Sequence, residues 1–220
     1  NYPTLSRNPN LTYTRKWRYK GLQVFHWKGP LITQYLDDIF ETMNQALDEF
    51  PAIVVCRYEL RFPRWIDTND IKELGPDLIT RVWASFSSQL KACVKKLNRQ
   101  GYSPHFSKPR NIWCKELRKK DSVQHYHATL IMESVLYDFL IQVLGDDAID
   151  KLMKEAWARV INVPVDDAPR VVWIPENNIY YVSKEDPNSY VDAFYRLSYL
   201  AKSFTKNYDD GSQWFGSTRS

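Results

Sequence analysis

"SVQHYHATLIM", residues 122–132, is an alternating, β-prone run that carries two of the chain's four histidines one residue apart. In a strand, residues i and i+2 point to the same face, so His125 and His127 project side by side from one surface. Just upstream, "NIWCKELRKK" reads as a second strand, joined to the first by a tight turn at Lys120-Asp121. A two-residue turn there places Glu116 directly opposite His125 on the same face. One carboxylate facing two imidazoles makes a one-sided, three-ligand set, the arrangement of catalytic metal sites, which keep positions open for substrate. A register slip of one residue sends Glu116 to the other face. Glu59, in "CRYELRF", is then the alternative acid, reaching the same face from a neighbouring strand.

The rest of the chain reads as α+β. Residues 31–50 carry apolar side chains at Ile32, Tyr35, Leu36, Ile39, Phe40, Met43 and Leu47, a helix with one buried stripe. Residues 52–62 form a strand ending at Pro63, and residues 77–98 a long amphipathic helix stopped near Gly101. Residues 135–161 supply one or two helices broken near Gly145. "RVVWI" and "NIYYVS" are short strands, and residues 188–206 form a last helix with Pro187 at its start. One central antiparallel sheet of about five strands with flanking helices accommodates this order. Residues 1–50 are expected as an N-terminal arm and helix packing on a core domain spanning 51–220.

Composition narrows the function classes. The 220 residues include 8 Trp, 14 Tyr and 10 Phe but 7 Gly, with a net charge of +4, which permits an anionic partner without demanding one. Three cysteines without a C-x-x-C spacing argue for a reducing, intracellular compartment rather than a disulfide scaffold. No apolar run approaches the roughly 18 residues of a membrane span, and no signal-peptide pattern opens the sequence. "WCKELRKK" interleaves Trp113 with Lys115, Arg118, Lys119 and Lys120, cations for a phosphate backbone and an aromatic for unpaired bases. Arg57 and Arg61 add to that basic character.

The last helix carries the remaining chemistry. Its core stripe is Tyr190, Phe194, Leu197, Ala201 and Phe204; about 100° around the helix runs a second line of Tyr195, Tyr199, Lys202 and Lys206. On an anonymous helix such residues are edge packing and solvated lysines. Beside a metal site they acquire another use, because a positioned phenol attacks phosphorus and a neighbouring lysine steadies the phenolate or the phosphate.

His125-Tyr126-His127 followed downstream by Tyr199-Leu200-Ala201-Lys202 resembles the HUH endonucleases with their Tyr-x-x-Lys motif, in the order found in replication initiators. "RYELRFP", "HYHATLIM" and "FYRLSYLAKSFTK" together are similar to the replication proteins of filamentous phages of the inovirus gene-two type and related prophage elements, over roughly residues 50–216. The resemblance implies a rolling-circle initiator that nicks and rejoins single-stranded or hairpin origin DNA through a 5′-phosphotyrosine intermediate. It implies Glu116, His125 and His127 as ligands of Mg²⁺ or Mn²⁺, Tyr199 as nucleophile, Lys202 as its assisting cation and Tyr195 as a second tyrosine. Arg57, Arg61, Trp113, Lys115, Arg118, Lys119, Lys120 and Lys206 would then contact DNA in the cytoplasm of a bacterial host cell. No Walker-type Gly-rich loop is present, so unwinding falls to a separate helicase. The middle residue of the motif, Tyr126, is less apolar than usual. A nucleic-acid-binding module of RNA-recognition-like fold is the alternative; it has no need for these side chains to converge. A hydrolase that activates water and uses the tyrosine only for packing is a third reading.

Overall fold

The computed structural model describes residues 8–117, 123–204, 206, 208 and 211–218. Arg118, Lys119, Lys120 and the turn at Lys120-Asp121 lie outside the described residues. Four two-residue strands open the chain: β1 (Tyr13–Thr14), β2 (Arg18–Tyr19), β3 (Leu22–Gln23) and β4 (Leu31–Ile32). Helix α1 (Thr33–Glu49), strand β5 (Ala52–Arg61), and helices α2 (Thr68–Glu73) and α3 (Leu78–Arg99) follow. Next come β6 (Arg110–Leu117), β7 (Gln124–Glu133), α4 (Ser134–Leu144), α5 (Ala148–Val160) and α6 (Ala168–Val171). The chain closes with β8 (Val172–Trp173), β9 (Ile179–Ser183), α7 (Pro187–Ser198) and β10 (Phe215–Ser217).

The class is α+β, with a central antiparallel sheet and helices on both faces. Its spatial order is β10-β6-β7-β5, and β8 and β9 both pair with β5 along different stretches of it. The central sheet therefore has six strands among the described residues, one more than the five segments read from the sequence. The additional one, β10, carries a glycine where strand propensity disfavours it. Gly216 sits over Trp113, where a Cβ would come within 2.7 Å of the indole, so close approach explains the residue.

Alternation along β5 separates two cores. Val54, Cys56, Tyr58 and Leu60 face one side, with Phe86 and Leu90 of α3 and Trp157 of α5. Ile53 and Val55 face the other, with Leu36 and Ile39 of α1 and Phe194 and Leu197 of α7. Both sides are apolar where helices cover them, so burial of each stripe stabilises the layers by about 1.5–3 kcal/mol per large side chain. Among the described residues, no helix is long and apolar enough to cross a membrane.

The last helix is shorter than its hydrophobic spacing predicts. It ends at Ser198, and Tyr199–Ala201 continue as one 3₁₀ turn before Lys202 turns extended. Two local causes are visible. Ser198 Oγ donates back to Tyr195 O at 2.6 Å and accepts from Phe25 N at 2.8 Å, a side-chain bond that competes with regular helix. Lys202 then bridges to Leu31, and Ser203 N donates to Pro30 O at 3.1 Å. Tertiary pairing with the segment before α1 overrides the helical period.

Candidate active site

The strand register puts the chemistry on one face of the sheet. Glu116 pairs with His125 and Leu117 with Gln124, the register that a two-residue turn requires. On the other side of β7, Glu59 pairs with His127 and Arg61 with His125. Two rows result on the face packed by α1 and α7: Cys114, His127, Glu59 and Trp173, and beside it Glu116, His125 and Arg61.

Glu116, His125 and His127 each offer a ligand atom, and these atoms all lie within 4.8 Å of one another. His127 Nε2 is 3.3 Å from Glu116 Oε2, and the two imidazole rings meet edge to face at 5.1 Å. Glu59 Oε1 lies 3.9 Å from His125 Nε2 but takes a 2.8 Å hydrogen bond from Arg61 Nε. One oxygen and two nitrogen donors gathered on one side suit a divalent cation and leave its outer side open. Glu116 is the more buried acid, at 2% exposure.

The 3₁₀ turn brings tyrosine and lysine together. Side chains at i and i+3 eclipse in such a turn. Lys202 Nζ donates to the Tyr199 hydroxyl and lies 3.7 Å from the centroid of its ring. The same ammonium is 2.8 Å from Glu116 Oε2, and the Tyr199 ring packs edge-on against His127 at 5.7 Å. Nucleophile candidate, cation and ligand set are thus contiguous. Tyr195, one turn earlier, packs with Tyr199 around Phe25, at ring distances of 5.8 and 5.4 Å.

Protonation states follow from this packing. Burial pushes the Glu116 carboxyl up, but the His127 hydrogen bond and the charges of His127, Lys206 and Lys202 outweigh it and hold it well below the usual carboxylate range. Glu59 is lowered too, burial being outweighed by Arg61 and the two histidines. Burial, then the neighbouring His127, lowers His125 to about 4, which leaves it neutral and ready to ligate at pH 7. Tyr199 moves the other way: burial first, then Glu116, Cys114 and Glu59, keep it a phenol far above neutral pH, with Arg196 opposing. Tyr199 therefore rests as the phenol although Lys202 donates to its hydroxyl.

Several expected DNA contacts are placed elsewhere. Trp113 and Lys115 alternate with Cys114 and Glu116, so they project from the opposite face. Trp113 is buried in the core of α3 and α5, and Lys115 Nζ bonds Ser212 over the Trp214 ring at 4.3 Å. Lys206 is fully buried and donates to the carbonyls of Leu200 at 2.9 Å and Lys202 at 2.6 Å. Its ammonium, 4.0 Å from Glu116 Oε1, is an internal counter-charge and not a surface contact. Arg57 is likewise only 5% exposed. Arg61 stays at the margin of the site, its guanidinium 5.1 Å from the Trp173 ring.

Sequence reasoning missed Phe25, Trp173 and Arg196. Phe25 arrives from an irregular segment with no periodic signal. Trp173 was legible only as part of a short strand; its pairing with Glu59 fixes the face it shares with the histidines.

These residues fall within a stretch, 14–218, that matches the family model described as the YagK/YfjJ C-terminal domain. The uncharacterized protein YagK of Escherichia coli (strain K12) is 26% identical over 205 residues, covering 90% of this chain and 96% of YagK. The uncharacterized protein YfjJ of the same strain is 26% identical over 201 residues, covering 87% and 96%. Among solved structures, the chain is similar to the N-terminal nuclease domain of minute virus of mice non-structural protein-1, at a TM-score of 0.32 and 14% identity, with 83% of this chain and 90% of that one covered. That domain is described as having Zn²⁺ coordination in its active site pocket and recognising DNA at the origin of replication. Matched over nearly its whole length, the chain belongs to the YagK/YfjJ C-terminal domain family.

Proposed function

We propose that this protein is a metal-assisted DNA-nicking and strand-transfer enzyme of the HUH type that initiates rolling-circle replication on single-stranded or hairpin origin DNA. The observation that carries the reading is the contact of Tyr199 with both His127 and Lys202, beside the Glu116–His125–His127 cluster. A module that only binds nucleic acid has no need for these five side chains to meet. The His-x-His and Tyr-x-x-Lys motifs shared with HUH replication initiators support the same assignment.

In this reaction the Tyr199 oxygen forms a bond to the scissile phosphorus and the bond from phosphorus to the 3′-oxygen breaks. The phenol gives up its proton and the departing 3′-oxygen takes one, leaving a 5′-phosphotyrosine and a free 3′-hydroxyl. Glu116, His125 and His127 would hold the metal, with Glu59 within reach of His125. A divalent cation bound there supplies Lewis-acid polarisation of the phosphate. Two imidazoles favour Mn²⁺ over Mg²⁺, which prefers an all-oxygen shell. Lys202 orients the phenol and steadies the phosphate that it attacks. Burial and two carboxylates oppose ionisation of Tyr199, so positive charge brought to the carboxylates removes the electrostatic part of that opposition.

The test is covalent capture. Protein incubated with Mn²⁺ and single-stranded hairpin DNA should yield an adduct that survives denaturing electrophoresis, and Tyr199→Phe should not. Cleavage without an adduct would instead indicate a hydrolase that activates water.

A further inference from the structure

Beside the metal cluster, the edge of the sheet opens. β8 and β9 pair with different stretches of β5, and the five residues between them loop out, with Asn177 in the left-handed region at φ 52°. Between that loop and α7 lies a groove of ≈ 930 Å³ whose lining includes Trp173, Ile179, Tyr180, Tyr195 and Arg196. That volume is in the range of roughly 300–1,000 Å³ typical of ligand pockets. Trp173, 46% exposed, shares its face with Glu59 and His127, so the groove lies on the same face of the sheet as the cluster.

The second observation is Arg57. It is 95% buried by its 5% exposure, yet its Nη1 has no hydrogen-bond partner among the described residues. Its backbone N–H donates to Asn178 O at 2.9 Å, its side chain bonds Tyr180, and Arg196 and Tyr199 lie within its electrostatic reach. Bonded to Tyr180 and not part of the groove lining, this enclosed guanidinium adds positive field next to Arg196 and not a direct contact. Arg196 with the exposed face of Trp173 supplies the chemistry that holds an unpaired nucleotide: a cation for the phosphate, a ring for the base. Glu176 and Asp192 also line the groove, so the phosphate must enter on the arginine side.

We propose that this groove is the subsite for one nucleotide of the unpaired strand flanking the scissile phosphate, with its base stacked on Trp173 and its phosphate held by Arg196. The proposal rests on the nicking reading for where the strand leads, but binding tests it separately from cleavage. Tyr199→Phe protein and a fluorescein-labelled oligo(dT) of about 15 nucleotides, near the upper end of single-strand site sizes, isolate binding from chemistry. Anisotropy titrations over a salt series give affinity and slope. Trp173→Ala should weaken binding about tenfold with the salt slope unchanged. Arg196→Gln should reduce the slope by about 0.7, the signature of one lost phosphate contact on a single strand. Tyr102→Ala, an exposed aromatic packed on Phe139 away from the site, should change neither. Arg196 lines the groove, so its variant reports on the contact itself. Affinity within twofold of the parent in Trp173→Ala, or an unchanged slope in Arg196→Gln, overturns the subsite while adduct formation continues to test the nicking reading. An absent adduct with the predicted binding pattern intact would leave the subsite standing and refute the nicking reading alone.

Discussion

Replacing Lys202 by methionine keeps the aliphatic stem and removes the charge from a pair that is almost completely enclosed. Glu116 is 2% exposed and Lys202 3%, with 2.8 Å between ammonium and carboxylate. Removing one partner of a buried pair strands the other charge, at a cost of about 3–5 kcal/mol. Lys206, 4.0 Å from Oε1, and His127, 3.3 Å from Oε2, retain part of the compensation. The lower end, about 3 kcal/mol, is therefore expected, which for a domain of this size lowers Tm by about 6–12 °C. Urea unfolding followed by circular dichroism in EDTA measures it. Adding Glu116→Gln to Lys202→Met should return much of the loss, since the stranded charge is gone; a coupling of about 1–3 kcal/mol is expected. Saturating Mn²⁺ should narrow the single variant's deficit, because a bound cation replaces the missing positive charge. A Lys202→Met cost below about 1 kcal/mol, or additive single and double variants, would refute the view that this ammonium compensates Glu116.

Metal binding should be readable without activity: Mn²⁺ at 100 times its Kd stabilises the parent by about 2.7 kcal/mol in a melting assay, and His125→Ala or His127→Ala should abolish the shift. Glu116→Ala should diminish that shift more than Glu59→Ala; the reverse ranking would make Glu59 the acidic ligand. In metal-free protein, His125 falls from 6.5 to about 4 on folding. Between those values the unfolded chain binds more protons, so stability rises with pH and is lost as pH falls through that window, by up to about 3 kcal/mol. His125→Asn should flatten the pH dependence of unfolding between pH 6.5 and 4, and an unaltered profile would place its cause elsewhere. Tyr195→Phe should still form the DNA adduct but impair rejoining, and peptide mass spectrometry finding the adduct only on Tyr195 would reverse the two tyrosines' roles.

The site was legible in the sequence where a short-range rule fixed it. H-x-H on a strand needs only the two-residue period, and Glu116 needs only the turn length that sets the register; both pairings are observed. The lysines show where such rules stop. Periodicity placed Lys202 and Lys206 at the margin of a helix, where solvation is the usual outcome, but the helix ends at Ser198 and the chain folds inward. That reversal depends on Leu31 and Pro30, more than 160 positions away in the sequence, through a bridge no local pattern announces. Composition misled in a different way at "WCKELRKK". Alternation puts Trp113 and Lys115 on the face opposite Glu116, so a basic, aromatic stretch divides between two environments. The same period that identified the histidine pair also separates them from those neighbours.

On the proposed reading, the two lysines and the two acids bear on how the site would accept a metal. Two buried ammonium groups compensate Glu116, and Arg61 compensates Glu59, so without a metal both of these carboxylates already have a cationic partner. Burial and the residual field of both acids still keep Tyr199 protonated. On that reading, a divalent cation held there would add charge that this arrangement lacks, and would need a lone pair of Glu116. Lys202 is the donor placed to give it up, because among the described residues it touches both that carboxylate and the Tyr199 hydroxyl. Loading the metal would then free an ammonium to serve the phenol. Lys206, tied to two backbone carbonyls, cannot make the same move and stays as the fixed charge beneath it.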